Sequence, residues 1–224
     1  RGRGLASRVL EQAEAELAAQ GCLLALLWAD DADFYEHRGW RRVGAERDYL
    51  LPQEARDSLP GPEGVRAAAP DDRGAIHRLY SLHRHRVERS ARETAELLAG
   101  PGMEVLVVQR SRDVIAYSCL GRGADLGDTV HEWAGSKSDV LRLVRAHLER
   151  AARRGQGAPV CLMTPPSATG LHAELESRGF AGTQGVLGHG KLLDPAGAAA
   201  IAARLAGPDA RFEVDAGGRI ALAG

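Results

Sequence analysis

Arg1-Gly2-Arg3-Gly4-Leu5-Ala6-Ser7 and, one helix and one strand later, Asp33-Phe34-Tyr35-Glu36-His37-Arg38-Gly39-Trp40 are the stretches on which the fold turns. Between them Leu5, Val9, Ala13 and Leu17 recur with Glu11, Glu14 and Glu16 opposite, the period of an amphipathic helix that Gly21 ends. Cys22 to Ala29 is apolar without alternation, as in a strand covered on both faces within a parallel sheet. Asp30 and Asp31 offer an N-cap to a short helix over 33–38, which Gly39 closes. Trp40 to Leu51 follows as a polar strand or hairpin.

Working outward, the cluster Pro52, Pro60, Gly61, Pro62 and Gly64 predicts a linker over 52–64. A second series then begins with a strand at 65–69, a helix capped by Asp71 and Asp72, and another helix at 91–99. Two apolar runs, 104–109 and 114–120, flank a tight turn as a β-hairpin, and a strand at 129–133 precedes an amphipathic helix that starts at Ser138 or Asp139. A strand at 159–164 and a helix at 168–178 ending on Gly179 complete it, and the tail holds an Ala-rich helix at 196–206 and a hairpin. The expected class is α/β (α+β), a mixed central sheet flanked by helices. The expected organisation is 1–51, a linker at 52–64, a second domain at 65–194, and a tail at 195–224 that is the start of a further domain.

The 224 residues are 44% hydrophobic and 26% charged, with Lys+Arg 29 against Asp+Glu 30, a composition that can bury a core and excludes wholesale disorder. Balanced charge argues against a broadly basic nucleic-acid binder, and no apolar run approaches the roughly 20 residues of a membrane helix. Cys22, Cys119 and Cys161 lie far apart in apolar stretches, which suggests buried reduced thiols in a cytoplasmic setting rather than disulfides or a metal site. The chain starts at Arg1 without an initiator Met and without a signal peptide.

The first stretch fits the pattern Arg/Gln-x-x-Gly-x-Gly/Ala at a helix N-terminus, where small residues let backbone N–H groups close on a pyrophosphate. With Phe34-Tyr35-x-x-x-Gly39-Trp40 downstream, the pair resembles the GCN5-related N-acetyltransferases. That resemblance implies that Arg1, Gly2, Arg3, Gly4, Leu5, Ala6 and Ser7 contact acetyl-CoA as co-substrate, and that Tyr35 is the general acid for the departing thiolate. It also implies that strands and helices preceding Arg1 are missing from the first copy.

The second series resembles the same family by architecture: Leu171-His172-Ala173-Glu174-Leu175-Glu176-Ser177-Arg178-Gly179-Phe180 echoes the Phe-Tyr helix, with His172 near the place of Tyr35. Its main helix starts Ala134-Gly135-Ser136-Lys137-Ser138-Asp139, which lacks the loop spacing and sets an acidic residue where phosphate would lie. The resemblance therefore implies one partial copy and one complete copy that is degenerate for CoA. Glu132, at the end of the strand bordering the family's acceptor groove, is a candidate base or amine ligand. His83 and His85 are two residues apart, a spacing that suits metal poorly. The expected function is acetyl transfer to a primary amine on a small molecule or peptide, without metal, nucleic acid or membrane. Its alternative is a non-catalytic binding or structural module. A homo-oligomer enters as the case in which a partner chain donates the missing strands.

Overall fold

In the computed structural model, residues 4–29, 32–123, 126–155, 157–185, 188–207, 211–215 and 220–222 are described. In chain order the elements begin with α1 (Leu5–Ala19), β1 (Leu24–Leu27), α2 (Ala32–Glu36), β2 (Arg41–Val43), β3 (Glu46–Leu51) and β4 (Val65–Ala67). Next come α3 (Arg73–Ser81), α4 (Ala91–Leu98), β5 (Glu104–Arg110), β6 (Asp113–Leu120), β7 (Thr129–Ala134) and α5 (Lys137–Arg153). The last are β8 (Val160–Thr164), α6 (Thr169–Ser177), β9 (Thr183–Gly185), β10 (Gly188–Leu192), α7 (Pro195–Ala206), β11 (Phe212–Val214) and β12 (Ile220–Leu222).

Two compact units emerge: residues 45–185, and residues 1–44 together with 186–224. This division differs from the expected one: residues 195–224, expected as a separate tail, cluster with the first unit, and two strands change sheets through their pairing. The strand expected to close the first domain, β3, instead pairs antiparallel with both β8 and β9, so residues 46–51 lie in the second unit's sheet. Likewise β10 pairs antiparallel with β1 and β2 and lies in the first unit's sheet. The expected linker is partly core. Residues Gln53–Ser58 form a 3-10 helix, and Ala55 and Leu59 are buried in the cluster around Leu162 and Leu148.

In the second unit the sheet order is β4-β5-β6-β7-β8-β3-β9, and only β7 and β8 run parallel. Helix α5 packs on it because Val140, Leu141, Val144 and Leu148 share one face, and all four are fully buried against Leu120, Val130 and Leu162. On the other face α3 supplies Ile76 and Tyr80 to a cluster with Val107, Tyr117 and Cys119.

The first unit has a three-stranded sheet, β1-β10-β2, with α1 and α2. Arg38, in the turn after α2, bonds to Ser7 of α1, and Glu14 of α1 joins Trp40 and Lys191. The run expected to be covered on both faces is not so covered: Ala25 is buried, but Leu24, Leu26 and Trp28, which alternate with it, are exposed on the other face. Helix α1 likewise has no buried residue. The tail helix α7 follows β10 within this unit, its N-terminus capped by Asp194 Oδ1 accepting from Gly197 N at 2.9 Å. The cap expected at Asp30 and Asp31 lies outside the described residues. The three cysteines are free thiols, Cys119 buried and the others half-buried.

Leu51 is wholly buried in the second unit's core. Leu51→Ala should lower stability by about 2–5 kcal/mol in denaturant titration. Hydrogen exchange should report the loss in β8 and α5. Loss confined to α1 and β1 would refute the assignment of β3.

Candidate functional site

Among the described residues no side chain caps the N-terminus of α1: Gly4 precedes the helix in the left-handed region (φ 64, ψ 12) and accepts from Arg8 N at 3.1 Å. That conformation suits glycine, and no acidic residue stands in the first turn. The N–H groups of Leu5, Ala6 and Ser7 precede the first helical bond and are the helix's orphan donors. Arg1, Gly2 and Arg3 lie outside the described residues.

Arg38, a residue that the sequence reading passed over inside its own motif, reaches this turn. Its Nε and Nη2 donate to Ser7 Oγ at 3.2 and 2.7 Å, its Nη1 donates to the Phe34 carbonyl at 2.6 Å, and its guanidinium lies 3.9 Å from the Phe34 ring centroid. A fixed positive charge thus joins the positive end of the helix dipole at one small surface.

Tyr35 is half-buried, with its ring centroid 5.0 Å from Phe34 edge-on, 6.1 Å from Trp40 and 6.1 Å from His189. Its position comes from the helix C-cap. Arg38 N and Trp40 N both bond to the Tyr35 carbonyl, at 2.9 and 3.2 Å, and Gly39 takes φ 85 as the left-handed cap residue. No hydrogen bond engages its hydroxyl among the described residues. His189 was also passed over: it is buried on β10 with both ring nitrogens unpartnered, and only its Gly188-His189-Gly190 setting hinted at an unusual strand position.

The same positions in the second unit are closed. Ser136 Oγ caps α5 by accepting from Asp139 N at 3.2 Å, and donates to Asp139 Oδ2 at 2.6 Å. The buried Asp139 therefore occupies the helix N-terminus. Parallel pairing of β7 and β8 spans Thr129↔Cys161 and Val130↔Leu162, and beyond it Trp133 Nε1 donates to the Met163 carbonyl at 2.9 Å. The C-cap of α6 repeats that of α2: Arg178 N and Phe180 N bond to the Leu175 carbonyl, both at 3.1 Å, and Gly179 has φ 86. Leu175, not His172, therefore occupies the place of Tyr35, and His172 stands one turn earlier.

Glu132 lies in the second unit, whereas Tyr35 and the loop lie in the first. Its carboxylate accepts from Arg89 Nη1 and Nη2 at 2.9 and 2.7 Å and from the Tyr117 hydroxyl at 2.8 Å. The Arg89 guanidinium sits 3.4 Å from the Tyr80 ring centroid. Burial, with the Glu132 charge, pushes the Tyr117 phenol upward.

A Ser118–His147–Glu104 chain has the spacing of a nucleophilic triad, 2.9 and 2.7 Å. Ser118 and His147 are nevertheless fully buried, so no substrate reaches the hydroxyl. Burial alone would raise the Glu104 carboxyl, but bonds from His147 and Arg154 outweigh it and bring it to about 2. Among the described residues no His, Cys, Asp and Glu group is arranged to hold a metal ion, and no helix is long and apolar enough to cross a membrane.

No family model and no curated protein matches the chain. Solved structures do. A GCN5-related N-acetyltransferase from Kribbella flavida superposes with TM-score 0.61 at 20% identity, covering 89% of this chain and 51% of that one. A probable N-acyltransferase from Enterococcus faecalis V583 gives 0.61 at 14%, covering 87% and 51%. A GCN5-related N-acetyltransferase from Anabaena variabilis gives 0.58 at 15%, covering 86% and 52%. The chain has the fold of the GCN5-related N-acetyltransferases, as its helices and large mixed sheet imply. It spans about half the length of those structures.

Removing the negative charge at Glu132 leaves Arg89, 8% exposed, without a counter-ion. Glu132→Gln should destabilise the second unit by about 3 kcal/mol in a melt, with the α3–α4 segment losing hydrogen-exchange protection first. An unchanged melt would show that the pair does not anchor that segment.

Proposed function

We propose that the protein transfers an acetyl group from acetyl-CoA to a primary amine of a small molecule or peptide, and that the first unit carries the chemistry. The observation that carries this is the uncapped N-terminus of α1 with Arg38 fixed on Ser7, set beside the α2 helix that presents Tyr35. The backbone donors of Gly4, Leu5, Ala6 and Ser7 fit a pyrophosphate, because they combine orphan N–H groups with positive potential and lack a competing carboxylate. Arg1, Gly2 and Arg3 belong to the proposed binding set through the sequence pattern alone.

Acetyl-CoA supplies an activated acetyl group as a thioester, whose C–S bond breaks as the amine nitrogen forms the new C–N bond. Tyr35 gives its proton to the departing sulfur and regains one from water, which takes up the proton that the attacking amine nitrogen sheds. A phenol suits the task because its O–H is a neutral donor that can pass a proton to a thiolate. Glu132 is given no proton transfer: its oxygens are already occupied by Arg89 and Tyr117, and it orders the α3–α4 segment.

A second reading, a non-catalytic module, is favoured for the 45–185 unit alone. The Asp139 cap, Trp133 bonded across to Met163, and Leu175 at the Tyr35 position each remove one requirement of the reaction.

Calorimetry with acetyl-CoA tests the loop. Gly4→Glu should abolish binding, whereas Gly4→Ala, which carries the same backbone strain without the charge, should keep it; equal loss in both would reject phosphate binding there. With a panel of amines as acceptors, Tyr35→Phe should lower kcat roughly 100-fold or more while leaving acetyl-CoA affinity nearly unchanged. An unaltered kcat removes Tyr35 as the acid.

A further inference from the structure

The second unit has lost the features of the transfer site, yet it holds a cavity of about 300 Å³ lined by Glu46, Arg47, Pro166, His172, Gly182 and Gln184. What makes the cavity chemically specific is the state of His172, which its neighbour dictates. The Thr164 hydroxyl has one proton and gives it to the Arg47 carbonyl at 2.5 Å. Its oxygen can therefore only accept from His172 Nε2, at 2.8 Å. The ring hydrogen sits on Nε2, and Nδ1 carries a bare lone pair.

No hydrogen bond engages Nδ1 among the described residues. His172 is 7% exposed and lines the cavity. The ring is further fixed by Tyr49, whose centroid lies 5.8 Å away at a 34° tilt. Burial, and then the Arg47 charge, push the imidazole pKa down, which keeps the ring neutral and basic at Nδ1.

Away from Arg47, the Glu46 side of the cavity is acidic, with Asp48 beside Glu46. Arg47 is neutralised by Glu176 at 2.5 Å, which also accepts from the Tyr49 hydroxyl at 3.3 Å. Glu46 has no cationic partner among the described residues, and burial, then the Asp48 charge, push its carboxyl upward. The wall thus offers one acceptor nitrogen, one uncompensated carboxyl and the Gln184 amide. Gly182 lets the chain lie directly against two of these side chains, since a Cβ there would stand 2.5 Å from Arg47 Nε and 2.7 Å from the Tyr49 ring.

We propose that this cavity binds a small primary ammonium ligand, which donates to His172 Nδ1 and places its charge against Glu46. The site belongs to the second unit and does not rest on acetyl transfer by the first. It gives the degenerate copy a ligand-binding role of its own.

The test uses the full chain with ¹⁵N-labelled histidine, titrated with 1,4-diaminobutane near neutral pH while the imidazole nitrogens are observed by NMR. Saturable movement of the His172 Nδ1 resonance, with Nε2 nearly fixed, is expected. His172→Gln keeps an amide N–H for Thr164 and lacks the ring acceptor, so it should bind roughly tenfold or more weakly while melting like the wild type. Glu46→Gln should also weaken binding, and the Gly4→Glu variant should bind as the wild type does, which separates this site from the first unit. No saturable shift at His172 in the wild type, or equal affinity for His172→Gln, overturns the proposal, the former even if the variant does not fold.

Discussion

A strand inserted between two others is the constraint from which the rest of this structure follows. In each unit a helix–strand–helix–strand series leaves a gap between its two strands: β1 and β2 in one, β8 and β9 in the other. Their backbone N–H and C=O groups would stay unpaired without a central strand. β10 fills the first gap and β3 the second, each antiparallel to both neighbours. In both series the strand that comes next in sequence serves the sheet of the other, which is why residues 1–44 and 186–224 form one unit and the intervening chain the second. Tyr49 and Leu51 are fully buried in this arrangement, though they follow directly on the first series.

That shared topology makes the divergence between the copies legible. The C-cap after α2 and the C-cap after α6 have the same hydrogen bonds and nearly the same glycine φ, so the backbone is common to both. What differs is side-chain chemistry at three places: an open helix start against one capped by Ser136 and Asp139, Tyr35 against Leu175, and Trp133 bonded to the Met163 carbonyl beyond the last β7–β8 pair. A carboxylate at a helix N-terminus competes directly with an anionic ligand for the same donors and the same potential. On the same backbone, the described start of α1 holds no carboxylate, whereas the start of α5 holds Asp139.

Much of the local structure was readable. The four-residue spacing of Leu5, Val9, Ala13 and Leu17 gave α1, the apolar clusters gave β5, β6 and β8, and Gly39 and Gly179 marked real C-caps. The lapses have physical causes. Strand pairing between residues more than a hundred positions apart leaves no periodic trace, so β3 was placed with the wrong partners. Proline and glycine between 52 and 64 signalled a break in regular structure, but Ala55 and Leu59 within it still pack into the core. Counting back from Gly179 aligns Leu175 with Tyr35, whereas matching polar residue types had drawn attention to His172.

By itself the sequence determined the elements, the two related series, and the glycine at the start of α1, because these rest on contacts within a few residues. The tertiary structure alone decided which strand completes which sheet, that Arg38 reaches Ser7, that Glu132 is engaged by Arg89 and Tyr117, and which nitrogen of His172 is bare. Each of those depends on where a side chain or strand from a distant part of the chain arrives. Hydrogen-bond donors and acceptors acquire their roles only from the partners that folding brings to them.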